Sequence, residues 1–246
     1  MTNPIFANVR PVNEAADADP TTLRISMDTK ATVNLGEYSR GGQSRGLEAV
    51  KALDHDMANK AKLIPGGILE PVSGQSFLFF GDNHKTSDFM ADGLEAWWEQ
   101  RKSALSAIST LVINLDLCPR GYNGPECSGH RTQYLQRLVE FADKTGLTIR
   151  LVYYPPYHSK YNAIERFWAG LEKSWNGYLL DSEESVLKRA GNFIWKGAQT
   201  RVTMLAGVYE KGVKLAANQV CKLEARLKRS TALKWWDITI SPETVF

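Results

Sequence analysis

The sequence predicts an α/β fold in which parallel strands pair through helical crossovers. Three observations carry this. Leu111-Val112-Ile113-Asn114-Leu115 is a near-continuous apolar run, the mark of a strand buried on both faces. Residues 131–144 and then 148–154 read as an amphipathic helix and a second strand, with a further helix over 162–175. Strand, helix, strand, helix in that order implies parallel pairing.

The chain has 246 residues and is 43% hydrophobic, enough for one large or two small domains with a filled core. A net charge of +3 is compatible with nucleic acid but does not by itself argue for it. Cys118, Cys127 and Cys221 form no CxxC pair and leave an odd count, which speaks for a reducing compartment and against a disulfide framework or structural zinc. No run approaches the apolar length of a membrane span, and no basic-then-apolar signal opens the chain. The expectation is a soluble, cytoplasmic protein without a membrane partner.

Residues 1–22 are polar and read as an arm or short helix. A strand follows over 23–34, where Leu23, Ile25 and Met27 alternate with Arg24, Ser26 and Asp28, so that Asp28 falls on the face away from the core. It is either a surface strand residue or a functional carboxylate. In residues 36–45, Arg40 and Arg45 flank Gly41-Gly42; a flexible basic turn and a phosphate-holding loop both fit, although the P-loop ending is missing. Further strands are expected at 63–72, broken by Pro65-Gly66-Gly67, and at 76–80. Thr86 or Ser87 caps a helix to Arg101 that buries Phe89, Met90, Leu94, Trp97 and Trp98.

The central strand ends at Asp116, and a loop bearing Gly and Pro spans 118–129. In the next helix Tyr134, Leu135, Leu138, Val139 and Ala142 form the apolar stripe, and Gly146 stops it. The strand over 148–154 leaves through Pro155-Pro156 into a short loop. Beyond it Ile164, Phe167, Trp168, Leu171 and Trp175 recur at helical spacing, with Glu165 beside the stripe in the first turn. Asn162 and Glu165 fit a capping box, which needs no chemistry. Asp181, Glu183 and Glu184 open another helix, acids first as the dipole prefers. Residues 202–229 read as helical and end in Lys222, Arg226, Lys228 and Arg229, a solvated face or a contact to a DNA backbone. Leu233-Lys234-Trp235-Trp236 docks the C-terminal end.

Asp28, Asp116 and Glu165 thus stand in comparable places, two in strands and one at a helix start. Carboxylates at strand ends can converge although far apart in sequence, and such oxygens suit hard divalent cations. Two such ions stabilise both oxygens of an in-line phosphoryl displacement.

The segment Pro155-Pro156-Tyr157-His158-Ser159-Lys160-Tyr161-Asn162-Ala163-Ile164-Glu165-Arg166-Phe167-Trp168 resembles the "PPYSP-x-LNPIE-x-x-W" signature of DDE transposases from bacterial insertion sequences and the Tc/mariner superfamily. Asn123-Gly124-Pro125-Glu126 with Arg131-Thr132-Gln133, Asp28-Thr29-Lys30-Ala31 and Ser39-Arg40-Gly41-Gly42 are similar to one insertion-sequence branch. The resemblance covers residues 23–177. It implies a ribonuclease-H-like mixed sheet with flanking helices over 23–180, after an arm over 1–22 and before a C-terminal helical extension over 181–246. It implies Asp28, Asp116 and Glu165 as the catalytic, metal-holding triad, with two Mg²⁺ or Mn²⁺ ions. The partner would be DNA, at terminal inverted repeats and target sites, engaged by a homodimer in the nucleoid. Arg40, Arg45, Asn123, His158, Lys160, Arg166, Lys222 and Arg226 are candidate DNA contacts.

The chain departs from the signature in three ways. Leu117-Cys118-Pro119-Arg120-Gly121-Tyr122 intervenes before Asn123, and Ala163 replaces a proline. The family's helix-turn-helix region has no counterpart before Leu23, so the chain is expected to be the catalytic part alone, one frame of a split or decaying element. Two other readings stay open: a remnant that binds DNA without cutting it, and a hydrolase that cleaves without joining.

Overall fold

The computed structural model describes residues 2–37, 39–42, 51–52, 61–116 and 126–243. Arg45, Asn123 and the inserted residues 117–122 lie outside the described residues. The chain opens with α1 (Thr2–Ala18), β1 (Thr22–Thr29) and the short β2 (Val33–Asn34), followed by β3 (Lys62–Leu69), β4 (Ser76–Gly81) and α2 (Ser87–Arg101). Next come β5 (Thr110–Asp116), α3 (Thr132–Thr145), β6 (Thr148–Tyr154), α4 (Ala163–Trp175) and α5 (Glu183–Gly191). Beyond these lie β7 (Ile194–Trp195), β8 (Ala198–Gln199), β9 (Arg201–Met204), α6 (Ala217–Arg226), β10 (Leu227–Arg229) and β11 (Asp237–Ile240).

Among the described residues the main sheet runs β10-β11-β6-β5-β1-β3-β4-β9, with β2 beside β3. β1, β5 and β6 are parallel, and β3 and β4 turn back antiparallel on the other side of β1. This is the mixed, ribonuclease-H-like sheet that the resemblance implied. The period of two along each strand divides it into two faces. Ile25, Met27, Ile113, Leu115, Leu151 and Tyr153 share one core with Phe89 and Trp97 of α2 and Leu135 of α3. On the other face α4 and α5 cover Leu63, Leu69, Leu78 and Phe80, while α1 covers Val112, Val152 and Tyr154. Burial of each such large side chain contributes roughly 1.5–3 kcal/mol.

Several expectations change. The N-terminal segment is a helix of 17 residues, because Ile5, Val9, Val12 and Ala16 recur on one face and bury there. The strand expected over 23–34 is interrupted after Thr29 and resumes as β2. The face that carries Asp28 is not open to solvent, since α4 lies across it. Pro65-Gly66-Gly67 does not break β3, whose pairing with β4 continues through all three. The bare glycines admit large rings instead: a Cβ on Gly66 would lie 2.2 Å from Phe79.

The expected helix over 202–229 is helical only in α6. Val202 and Met204 pack alternately against the α4–α5 core, so the segment before it pairs with β4 as β9. β10 and β11 extend the opposite edge beside β6, so the region after Leu180 supplies strands as well as helices. Cys127 is buried and Cys221 exposed, both free. Among the described residues no helix is long and apolar enough to cross a membrane.

Candidate active site

Ser26 of β1 is in register with Asn114 of β5, so two residues further Asp28 and Asp116 lie side by side on the same face. Helix α4 reaches them because β3 is bare beside Asp28. Gly67 pairs with Asp28, and a Cβ there would stand 2.8 Å from Trp168 and 3.2 Å from Ile164. The two side chains of α4 fill that space, which seats its first turn over the strand ends. One carboxylate oxygen each of Asp28, Asp116 and Glu165 then lies within 4.8 Å of the others, and all three residues are half-buried.

Like charges gathered out of water resist ionisation. Burial, then the charge of Asp116, pushes Asp28 up to about 7, with Glu165 adding to the rise; the Thr29 amide and the Lys85 charge pull the other way. Burial pushes Asp116 up to about 6, with Glu165 adding and a hydrogen bond from Asn162 opposing. The donor set is all oxygen, which suits Mg²⁺ or Mn²⁺. Asp116 Oδ1 is buried and, among the described residues, has no hydrogen-bond partner. A buried carboxylate oxygen in that state is a free ligand atom, so the residues present fit a divalent cation.

The capping box expected of Asn162 and Glu165 is not formed. Asn162 stands at the N-cap of α4, but its side chain makes no cap hydrogen bond. Its amide donates to Asp116 Oδ2 at 3.4 Å, and its Oδ1 accepts from the Ser26 hydroxyl. Ser26 Oγ in turn accepts from the backbone N–H of Ile164 at 3.0 Å. The helix is therefore capped from across the fold by a strand hydroxyl, and Glu165 is released to face the aspartates. The sequence reasoning passed over Ser26; its one signal is parity, since a buried serine two residues before Asp28 must share its face. Lys85, which precedes α2, was also passed over; it pairs with Glu126 at 3.8 Å.

The basic candidates are scattered. His158 and Lys160 lie in the loop between β6 and α4, and Arg166 is exposed next to Glu165. Arg40 donates to the Asn34 carbonyl at 2.5 Å and lines a hollow with Lys30, Glu172 and Asn176. Arg226 is engaged by Asp143 at 2.7 Å and Glu243 at 3.0 Å. Leu227 follows Arg226 and pairs with Ile240, which pairs with Ile149, which pairs with Leu111. That row crosses β5 five residues from Asp116, roughly 17 Å away. Lys222 is exposed on the same short helix, so neither is brought to the carboxylates.

Fold and site together define a domain in which two strands and the first turn of a helix bring three carboxylates into one cluster. The chain belongs to the Rhodopirellula transposase DDE domain family, whose family model matches residues 1–242. No curated protein matches it in sequence. Among solved structures it is similar to the Mos1 mariner paired-end complex with Mn (9% identity, TM-score 0.47). It is also similar to the Mos1 transposase paired-end complex with the left transposon end (10% identity, TM-score 0.46). Each match covers 76% of this chain and 51% of that chain, so the chain spans about half the length of the solved proteins it matches.

Proposed function

We propose that this chain is the catalytic domain of an insertion-sequence transposase, which cuts DNA at the ends of its element and joins the freed ends to target DNA. The observation that carries the reading is the meeting of Asp28, Asp116 and Glu165 within 4.8 Å in a chain of the DDE family. Two bound Mg²⁺ or Mn²⁺ ions would supply charge stabilisation to the attacking and leaving oxygens of phosphoryl transfer.

The three carboxylates hold the ions, and Asn162 fixes one oxygen of Asp116 so that the other stays available. In the first reaction water adds to phosphorus as the bond to the 3′-oxygen breaks; the products are a 3′-hydroxyl and a 5′-phosphate. In the second, that hydroxyl displaces a 3′-oxygen of the target strand, exchanging one phosphodiester for another. Lys160 and Arg166, both exposed beside the start of α4, meet phosphates of the bound strand. Two element ends, with one such carboxylate cluster among the described residues of each chain, call for a homodimer on DNA, and its place of work is the nucleoid.

Incubation with a labelled terminal inverted repeat, target DNA and Mg²⁺ should give joined products that vanish in Asp116→Asn. Cleavage without joining would reduce the activity to that of a hydrolase. DNA binding without cleavage, and with no response to Mg²⁺ or Mn²⁺, would make the chain a remnant.

A further inference from the structure

β6 leaves the carboxylates at Tyr154, which pairs with Asp116, and the chain returns to them at Asn162. Between these points it must turn. The His158 N–H donates to the Pro155 carbonyl at 3.2 Å, closing a β-turn with Pro156 and Tyr157 at its centre. Tyr157 has a φ of 61°. A positive φ at the second central position is type II geometry, which Gly or Asn adopts without strain and a bulky side chain does not.

Nothing among the described residues offsets that strain. The Tyr157 side chain belongs to a residue 88% exposed and, among the described residues, makes no hydrogen bond or ring contact. Its neighbours are tied down. His158 Nδ1 donates to the Pro156 carbonyl at 2.6 Å, and its ring stands edge-on to Phe6 of α1 at 5.4 Å. Tyr161 meets the same Phe6 at 5.0 Å. The turn is clamped from behind and presents one bare aromatic ring, three residues beyond Tyr154 and so within roughly 11 Å of it along the chain. Strain held at an exposed position, with no internal compensation, points to a contact outside the chain.

The surround decides which contact. Lys160, three residues on in the same loop, and Arg166, in the first turn of α4, are exposed, so the segment that carries the ring also carries basic side chains open to solvent. Basic side chains with an exposed ring suit a single strand of nucleic acid, where the charges follow phosphates and the ring takes a base face. Inside a duplex both faces of a base are covered by its stacked neighbours, so the ring needs a base that has left the stack. We propose that Tyr157 is a stacking platform for an unpaired nucleobase beside the Asp28–Asp116–Glu165 cluster. This rests on the DNA-acting reading above and names the form of DNA that the site holds: a strand opened next to the phosphate to be cut.

The test compares a blunt DNA duplex with the same duplex carrying a short unpaired 3′ tail that contains 2-aminopurine. Binding is measured in EDTA so that nothing is cleaved. Wild type should prefer the tailed duplex and quench its fluorescence. Tyr157→Gly should lose about tenfold in affinity for the tailed duplex together with the quenching, and keep its affinity for the blunt one. It should also melt at the same or a higher temperature, because the turn relaxes. Tyr157→Phe should behave as wild type. A glycine variant that keeps the tail preference and the quenching would overturn the platform, as would one that melts lower than wild type. If wild type binds both duplexes and only the platform fails, the DNA-acting reading survives; if it binds neither, both fall.

Discussion

Between α2 and α3, Asp88, Asp92 and Glu95 converge on Arg137 at 2.8, 2.6 and 3.0 Å, whereas Asp28, Asp116 and Glu165 converge on one another. The first gathering is complete. Although burial works against it, the hydrogen bonds that the Arg137 guanidinium donates to Asp92, Asp88 and Glu95 hold it charged above its ordinary range. Lys144 adds a second cation at 2.8 Å from Glu95, and the carboxyl of Glu95 sits below its usual range despite its own burial. The second gathering has the opposite electrostatics. Its two aspartates are pushed up, and one oxygen has no hydrogen-bond partner among the described residues. Acids that meet around a cation of the chain join two helices; acids that meet without one keep their oxygens available as ligands, which is what the proposed function requires of them.

The largest expected effect is on chemistry. Asp116→Asn should lower strand joining by about a thousandfold or more, with the far-ultraviolet circular dichroism unchanged. Joining at near wild-type rate would show that the cluster is not where the reaction occurs. Arg137→Leu tests the other side of the comparison. It removes the guanidinium that Asp88, Asp92 and Glu95 share at a half-buried site, leaving Lys144 on Glu95 alone, and should cost about 3 kcal/mol in urea unfolding. The rise in melting temperature caused by Mn²⁺ should nevertheless persist in this variant and disappear in Asp116→Asn. An exchange of those two behaviours would mean that the roles of the clusters had been assigned the wrong way round.

The same contrast shows what was legible in the chain. The strand around Ile113 and helix α4 were legible because their apolar spacing is local and strong, and Asp116 and Glu165 stand at their ends. Asp28 was legible as a carboxylate but its face was misread. Arg24, Ser26 and Asp28 alternate like a solvent face, yet the cover comes from α4, more than a hundred residues later, which no local pattern reveals. Ser26 and Asn114 are polar and fully buried on that face because each has a distant hydrogen-bond partner, in Asn162 and Asn13. β9, β10 and β11 were missed because strands of three or four residues carry too little periodicity to separate from helix. Their identity is fixed by β4 and β6.

A pH series sharpens the comparison further. A carboxyl whose folded value is raised binds protons more tightly in the folded than in the unfolded protein. Its contribution to stability is full below its unfolded value near 3.8 and is lost as pH rises towards about 7 for Asp28. In EDTA, wild type should therefore lose about 2 kcal/mol relative to Asp28→Asn between pH 4 and 6. The lowered carboxyls, such as Glu95 beside its lysine and arginine, act in the opposite sense, with stability lost as pH falls, and at lower pH. They are common to both proteins and cancel in the difference. Identical pH profiles would mean that Asp28 titrates as an ordinary surface acid.

The smallest effect probes what joins cluster and fold. Ser26 is fully buried, and its hydroxyl serves Asn162 Oδ1 and the Ile164 N–H at once. Ser26→Ala leaves the Asn162 amide oxygen and the Ile164 N–H in the first turn of α4 without this partner, at a cost of about 1 kcal/mol. If the hydroxyl were only a cap, the loss would end there. Asn162 also orients Asp116, and loosening such an outer contact typically weakens metal binding by about tenfold. The Mn²⁺ concentration that half-saturates the melting shift should therefore rise about tenfold in Ser26→Ala. A comparable loss of stability at the Arg137 network should leave that concentration where it is. Equal half-saturation in Ser26→Ala and wild type would confine Ser26 to capping and leave Asp116 held by its strand alone.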